Sequence, residues 1–283
     1  MDKTFFLGLG GQKCGSTWIR AYLARQPGSD FGRLGEYQRW EHRLGGVFAR
    51  YAIPDPSAGQ RLRARLKMAL GAPEPAAHLR WRLQADPQTY FYYFAKLCSA
   101  PGTVRTGDVT PSYAALPAET LREIRNGFEA RGFKVKLIFS MRDPVARLSS
   151  HLKMDMDKGR IPPSDRAEAL RAFYATAEAE GRSRYDLTLK AIAEAFAPED
   201  CHICLFEELF TPAGTEALAR FAGVPADLEA GQTKVNARGS STDVPEDLQA
   251  AIARHYAPAY AAAADILPQS ARLWPSARFL TTA

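Results

Sequence analysis

An apolar run that ends in glycines and a lysine constrains this chain more than any other feature. Residues 4–9 read TFFLGL, rich in Phe and Leu and bounded by glycine, the pattern of a strand buried on both faces. Beyond GGQKCGST, residues Trp18, Ile19, Tyr22 and Leu23 recur at helical spacing, and QPGSD at 26–30 ends that helix. A strand, a glycine-rich turn and a helix start aim backbone N–H groups and the positive helix end at one anionic group. Ser16 and Thr17 add hydroxyl donors, and Lys13 adds a full charge. The order of residues excludes two familiar phosphate loops. G-x-x-x-x-G-K-[ST] places lysine after the last glycine, but Gly15 is followed by Ser16. G-x-G-x-x-G fits Gly8 and Gly10 and then meets Lys13.

Further strands are expected at 135–141 (VKLIFSM), followed at once by Arg142-Asp143-Pro144, and in CHICLF before Glu207-Glu208-Leu209. Another is expected shortly before Glu36. Strands alternating with helical stretches predict an α/β fold, a mainly parallel sheet with helices on both faces, in a single domain over 1–283. Ligands of such sheets sit beyond the carboxyl ends of the strands, where the glycine loop and the Arg-Asp-Pro stretch both fall. Residues 39–100 read as a helical insertion, rich in arginine up to 82, broken by GAPEP, and closing on TYFYYF at 89–94, a core face. Its arginines are a solvated helix face or a lid that gathers an anionic acceptor. Residues 165–196 read as one or two helices, and the helical pattern after 245 is interrupted at Pro258.

The net charge of +6 suits an acidic ligand but is too mild and scattered for nucleic acid. No apolar run reaches the roughly 18 residues of a membrane span. The start of the chain lacks the apolar region and cleavage site of a signal peptide, so a soluble cytoplasmic protein is expected. Four cysteines in 283 residues are no disulfide framework. Cys201 and Cys204 form a C-x-x-C, but on a strand they point to opposite faces, so core cysteines are expected and no metal site.

The order K-C-G-S-T-W at 13–18 resembles the 5'-phosphosulfate loop of the sulfotransferase family that uses 3'-phosphoadenylyl sulfate (PAPS). SMRDPVARLSSHL at 140–152 is similar to the 3'-phosphate motif R-[DN]-P-x-x-R-x-x-S of that family, with Arg142 and Ser150 eight apart. If a helix starts at Pro144, Arg142 precedes it and Ser150 lies about two turns in, so charge and hydroxyl converge. TGDVTPSYAAL (106–116), CLFEEL and VNARGSS (235–241) resemble further segments, the last supplying Arg238 and Gly239 over the 3'-phosphate.

The resemblance implies a P-loop-like sulfotransferase fold of the bacterial or heparan-sulfate-type branch, with PAPS as co-substrate and adenosine 3',5'-bisphosphate as product. It implies a donor site of Gly11, Gln12, Lys13, Cys14, Gly15, Ser16, Thr17 and Trp18, completed by Arg142, Ser150, Arg238 and Gly239. Lys13 would meet the oxygen bridging phosphorus and sulfur, and Trp18 the adenine. RLGEYQRW at 33–40 is similar to the K-E-x-x-x-[FW] segment whose glutamate is the base, here Glu36, with Gly35 where the family has lysine. Asp108, His42 and His151 are the other base candidates, and Cys14 sits where a helix start would acidify a thiol. The acceptor is a hydroxyl or amine on a small molecule or carbohydrate; Trp40, Trp81 and Tyr51 either stack on it or belong to core and rim. A Mg²⁺-dependent nucleotide or small-molecule kinase and a non-catalytic nucleotide-binding module are the alternatives. Oligomeric state has no signature in the sequence.

Overall fold

The structure, a computed structural model, describes residues 2–162, 165–229 and 244–280. Its centre is a four-stranded parallel sheet in the order β2 (Arg105–Val109), β1 (Lys3–Gly8), β3 (Phe133–Met141), β4 (Cys201–Leu205). Between β1 and β2 run α1 (Ser16–Ala24), α2 (Ala58–Ala69), α3 (Ala76–Ala85) and α4 (Pro87–Leu97). α5 (Ala118–Glu129) joins β2 to β3. α6 (Pro144–Asp157), α7 (Arg166–Phe173), α8 (Ala177–Glu180) and α9 (Tyr185–Ala195) lead on to β4. α10 (Pro212–Ala222), α11 (Glu246–His255) and α12 (Ala257–Ile266) follow, and Pro258 stands in the first turn of α12, where its missing N–H costs nothing.

The central strand is buried on both sides, so its side chains divide between two helical layers. Phe5 and Leu7 join a core with Phe91, Phe94, Leu121, Phe128 and Leu148, from α4, α5 and α6. Phe6 faces a second core with Trp18, Ile19, Tyr22 and Leu218, from α1 and α10. The α/β architecture with helices on both faces is as expected, and the aromatics at 90–94 do supply core: Tyr90, Phe91 and Phe94 are buried, with Phe94 edge-on to Phe5 at 5.1 Å. No helix among the described residues is long and apolar enough to cross a membrane.

One strand expectation requires correction. No strand lies between α1 and Glu36; that stretch touches the sheet through one parallel bridge, Ser29 to Arg105. The strand beside β1 is instead β2, RTGDV, whose polar residues hide it from a hydrophobic pattern. Asp108 can be buried there because three hydroxyls donate to it, from Tyr90 (2.9 Å), Tyr113 (2.8 Å) and Thr110 (2.6 Å).

The start of α6 is fixed by Asp143, which is buried beside Arg142. Its carboxylate accepts from the Val145 N–H, the Tyr260 hydroxyl and the Ser276 N–H, each at 2.9 Å. One side chain thus caps α6 and ties it to α12 and to the segment at 276. Asp143→Ala leaves two buried donors without an acceptor and uncaps the helix. Denaturant unfolding should show a loss of about 3 kcal/mol; a loss under about 0.5 kcal/mol would show that water replaces the carboxylate.

Candidate active site

β1 and β3 are adjacent and parallel, with Gly8 opposite Ile138, so their carboxyl ends open on one edge of the sheet. The chain leaves β1 for β2 on one side and returns past it to β3 on the other, and such a reversal creates a crevice. The loop after β1 continues the ladder, Leu9 N–H donating to Ile138 O (2.9 Å) and Gly11 N–H to Ser140 O (3.1 Å). It then turns through left-handed backbone at Lys13 (φ 73°) and Gly15 (φ 92°). At Gly15 the left-handed backbone favours glycine, and a Cβ there would have to displace Leu209 Cδ1, 2.5 Å away. Gly15 caps α1 without offering a side-chain acceptor, which leaves the first N–H groups of the helix for a ligand.

Arg142 leaves the neighbouring strand at the same edge. Its guanidinium lies over the Phe206 ring, 4.4 Å from the centroid, with Nη1 3.4 Å from Lys13 O. Tyr185 joins the two loops: its hydroxyl donates to Arg142 O (2.9 Å) and stands 3.7 Å from Cys14 Sγ. Ser150 lies on α6 as the spacing predicted. Lys13, Ser16, Thr17, Trp18, Arg142 and Ser150 all line one cavity of about 1200 Å³. Gln12 and Gly15 line it too, whereas Gly11 and Cys14 do not. The N–H of Gly11 is used by Ser140, that of Cys14 by Gly11 O, and the Cys14 thiol is buried. Burial pushes that thiol up to about 11, so the acidified cysteine expected at a helix start is not found. Trp18 is buried against Tyr22 (5.1 Å, stacked) and Phe210 (5.4 Å, edge-on). Arg238 and Gly239 lie outside the described residues.

Glu36 lines the same cavity. Its main-chain oxygen is clamped by Arg80 Nε and Nη2 of α3 (3.3 and 3.0 Å), and its carboxylate accepts from Gln38 Nε2 at 3.3 Å. Burial raises its pKa above the ordinary carboxylate value, with Gln38 and Arg80 pulling the other way. Asp108 is enclosed by its three hydroxyls and is absent from the cavity wall; burial pushes it up to about 6. His151 does line the cavity, but its Nε2 is paired with Asp155 Oδ2 at 3.1 Å, and burial lowers its pKa. His42 is not part of the wall, and burial lowers its pKa also.

Several wall residues escaped the sequence reading. Glu207, at the carboxyl end of β4, is pushed up to about 7 by burial and accepts from Trp274 Nε1 at 3.1 Å. Its place after a strand was the available signal. Arg50 Nη1 donates to Glu178 Oε2 at 3.0 Å across 128 positions, a pairing with no local signature. Of the aromatics that could stack on an acceptor, Tyr51 lines the cavity. Trp40 is fully buried core, and Trp81 donates to Asp55 Oδ1 (2.7 Å) beside a separate groove. Among the described residues no group of three or more His, Cys, Asp or Glu could hold a metal ion.

No protein-family model and no curated protein sequence matches the chain. Solved structures do match. A sulfotransferase from Alicyclobacillus acidocaldarius superposes with a TM-score of 0.62 at 16% identity, covering 97% of this chain and 99% of that one. STF9, a sulfotransferase from Mycobacterium avium, matches with a TM-score of 0.47 at 14% identity over 90% of this chain and 76% of its own. The near-complete mutual coverage in the first case matches the layers and sheet described above, and it places this chain in the sulfotransferase fold.

Proposed function

We propose that the chain is a sulfotransferase that moves a sulfuryl group from PAPS to a hydroxyl or amine acceptor and releases adenosine 3',5'-bisphosphate. One observation carries the reading: the Lys13 loop and the Arg142–Ser150 pair, built on neighbouring strands, open onto a single cavity of about 1200 Å³. A ligand with two anionic ends fits that pairing, and the volume leaves room for an acceptor beside a nucleotide. In this scheme the uncapped start of α1, with Ser16 and Thr17, holds the 5'-phosphosulfate, while Arg142 and Ser150 hold the 3'-phosphate. Trp18 borders the adenine.

The reaction is an in-line displacement at sulfur. The acceptor oxygen or nitrogen forms the new bond to sulfur and gives its proton to Glu36. The bond from sulfur to the bridging oxygen breaks, and its electron pair stays on the departing bisphosphate, opposite the Lys13 ammonium. The work of the protein is positioning and charge stabilisation, as in phosphoryl transfer.

Calorimetric titration tests the donor site. Adenosine 3',5'-bisphosphate should bind more tightly than adenosine 5'-phosphate or ATP, with no gain from Mg²⁺. Arg142→Ala should weaken the bisphosphate roughly 10- to 100-fold and leave the 5'-monophosphate nearly unchanged. Equal affinity for ligands with and without a 3'-phosphate would refute the site, and Mg²⁺-dependent preference for ATP would favour a kinase.

A further inference from the structure

The arginine-rich helix α2 has no part in the cavity, and its exposed side is unlike a solvated face. Leu62, Leu66 and Leu70 are 57%, 55% and 86% exposed, and Met68 is 43% exposed. At about 100° per residue, the three leucines form one stripe. Arg65 falls on one flank of it and Arg63 and Lys67 on the other, while Ala64, the buried residue of the helix, and half-buried Arg61, 5.7 Å over the Trp81 ring, lie on the side facing the protein. From residue 56 to 73 there is no Asp or Glu. The helix is formed despite this exposure. Ser57 Oγ accepts from Gln60 N–H at 3.3 Å, and Gln60 Oε1 from Ser57 N–H at 2.8 Å, closing a capping box.

We propose that α2 is an interfacial helix that docks this protein on an anionic lipid surface, its leucine stripe among the acyl chains and its three exposed cations, Arg63, Arg65 and Lys67, at the headgroups. An apolar stripe with basic residues on both flanks is the charge pattern that such a surface complements, because long basic side chains reach outward to phosphates while the stripe inserts. Two copies of the chain meeting through this face would set three cations against three cations, with no acid on the helix between them. A nucleic acid would satisfy the cations and leave the leucines in water. The proposal is independent of the reaction in the cavity.

Vesicle flotation of the full chain tests it, with phosphatidylcholine alone and with an equimolar phosphatidylcholine–phosphatidylserine mixture. The protein should float with the mixture, not with phosphatidylcholine alone, and less at high salt. Arg63→Glu/Lys67→Glu should lower partition at least 25-fold, at about fivefold per neutralised cation. Leu62→Ser/Leu66→Ser should lower it by about tenfold per leucine. All four side chains are solvent-facing, so circular dichroism and Tm should not change. Failure to float with either composition, equal flotation with both, or flotation indifferent to the substitutions would overturn the proposal. So would self-association in sedimentation velocity that the leucine substitutions abolish, since a second copy would then cover the stripe.

Discussion

Lys13→Ala should lower kcat by about 10²- to 10³-fold while adenosine 3',5'-bisphosphate binds almost as before. The asymmetry follows from when the charge appears. In bound PAPS the bridging oxygen carries little charge, and it gains charge as the bond to sulfur breaks, so an ammonium beside it stabilises the transition state more than the ground state. The side-chain effect can be isolated cleanly here. Lys13 has left-handed backbone, and alanine meets the same steric penalty there, so the strain term largely cancels between the two proteins. Single-turnover kinetics with saturating PAPS and a panel of acceptors measures the loss, beside a titration with the bisphosphate. Arginine at this position should restore little, because a planar fork cannot place its charge where a point ammonium sat. Unchanged turnover, or a fall in bisphosphate affinity as large as the fall in kcat, would remove Lys13 from the transition state.

What could be read from the sequence was what the chain encodes over short distances. β1, β3 and β4 announce themselves as apolar runs, and the two loops carry their charges, hydroxyls and glycines within a few positions of a strand end. Their convergence was legible as well, because adjacent parallel strands bring their carboxyl ends together. β2 was not, since its stability comes from hydroxyls of Tyr90 and Tyr113 that reach Asp108 from other elements. Whether Trp40 stacks on a ligand or packs in the core was not legible, because an aromatic beside arginines reads the same in either place; Arg39 lies 4.5 Å over its ring, and the ring is fully buried. The Arg50–Glu178 pair and the burial that lifts Glu207 exist only once the chain has closed on itself. Local order gives the chemistry of the proposed phosphate site; the wall facing it is a product of tertiary packing.

That division bears most on Glu36, whose proposed role rests on an environment the sequence could not supply. Glu36→Gln should lower kcat/KM by about 10²- to 10⁴-fold, the range of a general base. It should also erase one limb of the pH profile. Burial raises the pKa of Glu36, so in the parent protein activity climbs as pH rises through that elevated value and the carboxylate becomes able to take a proton. Stability moves in the opposite sense. A carboxyl whose folded pKa is raised favours the fold at pH below its unfolded pKa, and that contribution disappears as pH rises through the folded one. Above its folded pKa the ionised Glu36 therefore works against folding, and glutamine relieves it. The variant should match or exceed the parent in Tm at pH 7 while its turnover collapses, an outcome that misfolding cannot imitate. Glu207, pushed up to about 7 in the same cavity, is the control. If the acid limb survives in Glu36→Gln and disappears in Glu207→Gln, the proton leaves the acceptor on the other side of the cavity, and the base must be reassigned to the end of β4.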